Sequence, residues 1–159
     1  SDRDWAGFLR TRLDGHGPGA PLDGLKRGGY QLVYRDKPSE FSKGVDAQRK
    51  RNDFSYSLGF TLNKEGSLIA VSWDGPAFKA GLVVGAKIVA VNGKEFSADD
   101  LKEAISAAKT ATGPIELLVK TGDRYRTVAM DYHDGLRYPH LERLAGTTAS
   151  LDEILTPRP

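Results

Sequence analysis

Gly75-Pro76-Ala77-Phe78-Lys79-Ala80-Gly81-Leu82 and, two residues on, Gly85-Ala86-Lys87-Ile88-Val89-Ala90-Val91-Asn92-Gly93 form the stretch whose reading decides the fold. Proline suits a first helical position, because its fixed φ fits and its missing N–H has no intrahelical partner there. Gly81 suits the position just past a helix end, where the backbone turns left-handed. The stretch therefore predicts a helix of one to two turns that opens at Pro76 and stops at Gly81. Ile88-Val89-Ala90-Val91 reads as a short strand. Asn92-Gly93 is a strong two-residue hairpin signal, since both residues tolerate positive φ.

Working outward, residues 56–62 and 68–73 alternate as strands, with Lys64-Glu65-Gly66 turning one into the other. Ser97-Ala98-Asp99-Asp100 resembles a capped helix start. The helix that follows places Leu101, Ala104, Ile105 and Ala108 on one face, and Gly113-Pro114 ends it. Residues 115–120 and 125–131 read as two strands joined by Thr121-Gly122-Asp123. The order is β, β, short α, β, long α, β, β.

The flanks are less regular. Trp5, Phe8, Leu9 and Leu13 recur at helical spacing over residues 4–13, and Gly15-His16-Gly17-Pro18-Gly19 breaks that helix. A further helical turn is expected over residues 22–26, a strand over 30–34 and a helix over 39–51. The first 51 residues are too poor in apolar side chains to form an independent domain, so they are expected to pack on the central part or on a neighbour.

Charged residues make up 28% of the chain and hydrophobic ones 39%, with a formal net charge of +2. The one dense basic cluster, Arg49-Lys50-Arg51, reads as a solvated helix end rather than a nucleic-acid surface, which needs a basic stripe with aromatic or amide readers. No apolar run is long enough to cross a bilayer. There are no cysteines, which excludes disulfides and thiolate zinc sites. The chain opens Ser-Asp-Arg-Asp, and is read as a piece of something longer.

Together these elements resemble the PDZ fold. The family's carboxylate-binding loop, Gly-Leu-Gly-Phe, stands here as Ser57-Leu58-Gly59-Phe60. Residues 75–82 match its small-residue first helix, 85–93 its strand and Asn-Gly turn, and 97–109 its second helix. Ser57 departs from the family's first loop glycine, and Ala86 stands where an aspartate is frequent. The paired last strands look more like bacterial protease-associated PDZ domains, which leaves both standard and permuted strand connectivity open. The resemblance implies an α+β, mainly β fold: a partly open β-barrel of five to six strands capped by two helices. Residues 52–131 form it, with a helical N-terminal arm over 1–51 and a C-terminal tail over 132–159.

The flanking segments narrow the likeness. Asp4-Trp5-Ala6-Gly7-Phe8-Leu9-Arg10, Pro21-Leu22-Asp23-Gly24-Leu25, Trp73-Asp74-Gly75-Pro76-Ala77 and Tyr138-Pro139-His140-Leu141-Glu142-Arg143 resemble the C-terminal third of bacterial glycyl aminopeptidases, which are gluzincin-type zinc metallopeptidases. That family's zinc helix, His-Glu-x-x-His, lies upstream and has no counterpart in these 159 residues. The resemblance implies a non-catalytic fragment without a cofactor, with zinc expected in the catalytic domain of the same polypeptide. It also suggests a periplasmic or secreted location. The expected partners are that catalytic domain and a peptide or protein C-terminus, with neither nucleic acid nor membrane insertion.

The candidate site follows from the loop. Successive N–H groups of Leu58, Gly59 and Phe60 are expected to converge on a terminal carboxylate as a backbone nest. The captured peptide is then expected to add as a strand along residues 60–63. The peptide-binding residues on this reading are Ser57, Leu58, Gly59, Phe60 and Leu62, with Leu101 and Ile105 on the opposite wall. A second possibility stays open: the groove is filled or shallow, and the domain braces the peptidase or an oligomer. The histidines, His16, His133 and His140, lack metal-ligand spacing and read as polar anchors. No Gly-x-Ser-x-Gly elbow is present.

Overall fold

A computed structural model describes residues 22–146. The helix expected over residues 4–13, with Trp5, Phe8 and Leu9, and His16 after it lie outside the described residues. The chain divides into two compact units, residues 32–142 in one and residues 1–31 with 143–159 in the other. In the smaller unit, helix α1 (Asp23–Arg27) ends at Gly28, and the N–H of Leu144 donates to the carbonyl of Gly29 at 2.8 Å. Strands β1 (Tyr30–Arg35) and β9 (Tyr138–Arg143) pair as a two-stranded sheet.

The larger unit carries the candidate site. Ser39 caps α2 (Glu40–Gln48), its hydroxyl accepting from the N–H of Ser42 at 3.1 Å. Three strands follow: β2 (Arg51–Phe54), β3 (Phe60–Asn63) and β4 (Leu68–Val71), forming an antiparallel sheet in the order β2-β3-β4. Helix α3 (Pro76–Lys79) has Pro76 in its first turn, and Gly81 beyond its end has φ +73°. Strands β5 (Lys87–Val91), β6 (Lys94–Glu95), β7 (Ile115–Thr121) and β8 (Arg124–Met130) form a second antiparallel sheet, ordered β6-β5-β7-β8. Asn92 and Gly93 both take positive φ, 49° and 79°, as a two-residue hairpin requires. The Asn92 side chain also accepts from the N–H of Glu116 on β7 at 2.9 Å. Helix α4 (Ala98–Ala107) is capped by Ser97, whose hydroxyl accepts from the N–H of Asp100 at 3.0 Å.

This is a mainly β, PDZ-like arrangement, with four helices and several antiparallel sheets among the described residues and no closed barrel. One core joins the two larger sheets to α4: Phe54, Phe60 and Leu62 from the first, Ile88, Leu117 and Met130 from the second, and Leu101 and Ile105 from the helix. The alternation on β7 is plain, with Ile115, Leu117 and Val119 buried and Glu116 exposed.

The structure departs from the sequence expectation in three places. The strand expected over residues 56–62 starts only at Phe60, because residues 55–59 form a tight turn. The helix expected to run to Arg51 stops at Gln48. Lys50 takes φ 51°, which reverses the chain into β2. The tail contains strand β9. Neither β2 (Arg-Asn-Asp-Phe) nor β9 has the apolar alternation of an isolated strand signal. Pairing with a neighbour makes both.

Candidate peptide-binding site

The turn between β2 and β3 is fixed by its own backbone. The carbonyl of Phe54 accepts two N–H groups, from Ser57 at 3.1 Å and from Gly59 at 2.9 Å. The carbonyl of Leu58 accepts from the N–H of Ala77 in α3 at 2.9 Å, and that of Gly59 accepts from the N–H of Ser72 at 2.8 Å. Gly59 has φ +83°, and a Cβ there would lie 3.3 Å from Cδ of Pro76. Only glycine meets both demands without strain.

The site residues expected from the sequence are brought together, but as core. Leu58, Phe60, Leu62, Leu101 and Ile105 are each 0% exposed, and Ser57 is 5% exposed. Both edges of β3 are occupied. On one side Phe60 faces Val71 and Thr61 faces Ala70 of β4. On the other, Phe54 faces Phe60 and Asn52 faces Leu62, antiparallel, so β2 ends at the loop. A peptide that adds to β3 must first displace β2, and one that offers a carboxylate to the N–H of Gly59 must replace the carbonyl of Phe54.

Beside β2 lies a cavity of about 560 Å³. Arg51 to Phe54 contribute to its wall, and Pro38, Leu136, Tyr138, Lys64 on the turn after β3 and Lys102 on α4 complete much of the lining. Arg51 is held between two carboxylates, with Nε 2.7 Å from Asp46 and a terminal nitrogen 3.7 Å from Asp53. The hydrogen bond that Arg51 donates to Asp46 holds the guanidinium above its ordinary pKa. Burial, reinforced by Asp46 and Asp53, pushes the Tyr138 phenol up. The sequence hid this cavity because Arg51 read as part of a solvated basic cluster. The available signal was Phe54, an isolated aromatic between polar residues just before the loop.

His133 and His140 are each held by protein acceptors. Nδ1 of His133 is 2.6 Å from the carbonyl of Ala108, at the C-terminal end of α4, and Nε2 is 2.9 Å from Asp131. Two acceptors at the two ring nitrogens favour the doubly protonated ring, and the Ala108 carbonyl is the largest cause of its raised pKa. Nε2 of His140 donates to the carbonyl of Lys37 at 2.7 Å. Among the described residues, no three His, Asp or Glu gather as a metal-binding group.

No family model and no curated protein matches the sequence. Solved structures do match. The chain is similar to a crystal structure of an aminopeptidase N family protein from Idiomarina loihiensis, with TM-score 0.55 and 18% identity over 98% of this chain. That match covers 26% of the other protein, so the chain spans about a quarter of its length. It also matches the HtrA3 PDZ domain bound to a phage-derived ligand, FGRWV, with TM-score 0.36 and 16% identity, over 74% of this chain and 95% of that one. The element order described above is PDZ-like, and nearly the whole chain shares its fold with one segment of an aminopeptidase N family protein.

Proposed function

We propose that this chain is a non-catalytic PDZ-like peptide-binding module of a zinc aminopeptidase, of the glycyl aminopeptidase type, and that it holds extended segments by strand addition. The observation that carries this reading is the state of β3, which takes the antiparallel segment Arg51–Phe54 along its edge, ending at the Ser57–Phe60 turn. An added peptide strand uses the same main-chain pairing. Zinc, on this reading, belongs to the catalytic region of the longer protein, where a His-Glu-x-x-His helix holds it. Metal-loaded chain should therefore leave aminoacyl-nitroanilides intact. Extended peptides should bind it with dissociation constants of about micromolar or weaker, because ordering the peptide offsets part of the contact energy. Absence of binding by any peptide at millimolar concentration would count against the reading.

A second reading, bracing of the catalytic domain, is favoured by one surface. Trp73 is 84% exposed and lies against Phe78 with ring centroids 4.5 Å apart, and Val83 and Val84 are exposed nearby in sequence. If this surface is covered in the longer protein, Trp73→Ser lowers the melting temperature of the whole aminopeptidase and leaves that of the isolated chain unchanged.

A further inference from the structure

β2 is the edge strand of its sheet, and its backbone phase can be worked out. In an antiparallel ladder, successive residues turn their N–H and C=O alternately toward one neighbour and the other. On β3 the phase is set at the β4 side. The N–H of Ser72 donates to the carbonyl of Gly59, and the N–H of Asn63 donates to the carbonyl of Ser67. Odd-numbered residues of β3 therefore face β4, and Phe60 and Leu62 face β2. Their partners Phe54 and Asn52 face inward in turn. Arg51 and Asp53 are left with backbone groups directed to the outer edge, where a further strand can pair.

The cavity lies against this strand. At about 560 Å³ it is within the range of ordinary ligand sites. Phe54, Leu136 and Tyr138 give it apolar wall. Its charge is lopsided. Lys37 and Lys64 are exposed and take part in no ion pair among the described residues. Lys102 is held only by an exposed contact to Asp99 at 3.2 Å, a type worth little. Over the whole lining, Lys37, Lys43, Arg51, Lys64 and Lys102 stand against Asp36, Asp46 and Asp53, an excess of two positive charges, and Arg51 bridges Asp46 and Asp53.

We propose that the outer edge of β2 and this cavity form the docking site for an extended acidic peptide, which pairs with Arg51 and Asp53 and sets its carboxylates against Lys64 and Lys102. The proposal rests on the strand-addition reading and moves the acceptor edge from β3, which is paired on both sides, to β2, which has no strand on its outer side. Lysines around an apolar floor select carboxylate-bearing segments with apolar residues between them. The screened attraction of exposed lysines makes the contact salt-sensitive.

The test uses the 159-residue chain, isotopically labelled, and three hexapeptides. One alternates Glu and Leu, one alternates Lys and Leu, and one ends in apolar residues with a free carboxylate and no acidic side chain. The Glu-Leu peptide is expected to bind more tightly than the Lys-Leu peptide and to slow amide exchange at Arg51 and Asp53. The double variant K64E/K102E, both positions lying outside the core, should keep the melting temperature and weaken that binding by at least about tenfold, or about 1.4 kcal/mol. Equal binding of the acidic and basic peptides overturns the proposal, as does unchanged affinity in the variant. If only the third peptide binds, and slows exchange at Leu58 to Phe60, the acidic site falls while strand addition stands. If none binds at millimolar concentration, both fall.

Discussion

Phe54→Ala tests how firmly β2 is held on β3. The side chain is 1% exposed, and its ring centroid lies 5.8 Å from that of Phe60 with the planes tilted by 60°. The bonds from Ser57 and Gly59 to the Phe54 carbonyl do not need the ring, so the loss is one of packing. Truncating a buried phenylalanine costs about 3–5 kcal/mol. Phe54 also lines the 560 Å³ cavity, so part of the space it leaves joins an existing void, and the low end, about 3 kcal/mol, is expected. The other three residues of β2 are only partly buried, so without Phe54 the strand has no fully buried side chain to hold it against the entropy of ordering its backbone, about 1–2 kcal/mol per residue. The loss should therefore be local. At 1.4 kcal/mol per factor of ten, detached β2 becomes roughly a hundredfold more populated. Native-state hydrogen exchange reads this directly: the amides of Phe60 and Leu62, which face β2, should exchange about a hundredfold faster, and that of Thr61, which faces β4, much less so. Equal acceleration at all three would mean that the sheet opens as one unit. No acceleration at Phe60 or Leu62 would refute the claim that Phe54 holds β2.

Gly59→Val should destabilise the chain by at least about 1–2 kcal/mol, because valine resists φ +83° and its Cβ would lie 3.3 Å from Pro76. Thermal unfolding should show a fall of several degrees. Leu101→Glu should unfold the domain rather than selectively weaken peptide binding, since Leu101 is 0% exposed and an unpaired carboxylate there has no partner. Loss of the cooperative transition in circular dichroism checks it. His133 has a raised pKa through the Ala108 carbonyl first and Asp131 second. Its stabilising contribution is thus fully present below the unfolded value of about 6.5 and lost as pH rises through the higher folded value. Urea midpoints should decline slightly above about pH 6.5, and His133→Gln should remove that component.

Much of the fold was legible because its punctuation is chemical. Pro76 and Gly81 bound α3, Asn92-Gly93 makes the β5–β6 hairpin, and Ser97 caps α4, each through a local backbone demand that one residue type meets best. Five of the seven candidate site residues, Leu58, Phe60, Leu62, Leu101 and Ile105, share one core. Their exposure was not legible. Leu58, Phe60, Leu62, Leu101 and Ile105 are apolar whether they line a groove or fill a core, and only the neighbour decides which. That neighbour, β2, is three polar residues and a phenylalanine. Its strand conformation comes from pairing with β3, and no pattern in Arg-Asn-Asp-Phe announces it.

The polar strand decides how the sheet can be used. β2 is tied to β3 by only five residues, 55–59. A segment on so short a tether competes at an effective concentration on the order of millimolar or above. A free peptide of micromolar affinity for bare β3 would bind much more weakly to the intact chain, since it must also replace the Phe54 carbonyl at Gly59. The outer edge of β2 has no such competitor within the sheet. A weak ligand therefore meets the sheet at Arg51 and Asp53, and the loop at Ser57–Phe60 becomes reachable only when β2 is detached. Phe54→Ala separates these two routes. Detaching β2 should strengthen binding of free-acid apolar peptides at the loop, where amidated ones gain nothing, and should weaken binding of the acidic peptide, which loses the strand it pairs with. Peptide affinities that move together in the variant would place both ligands on the same edge and contradict the division.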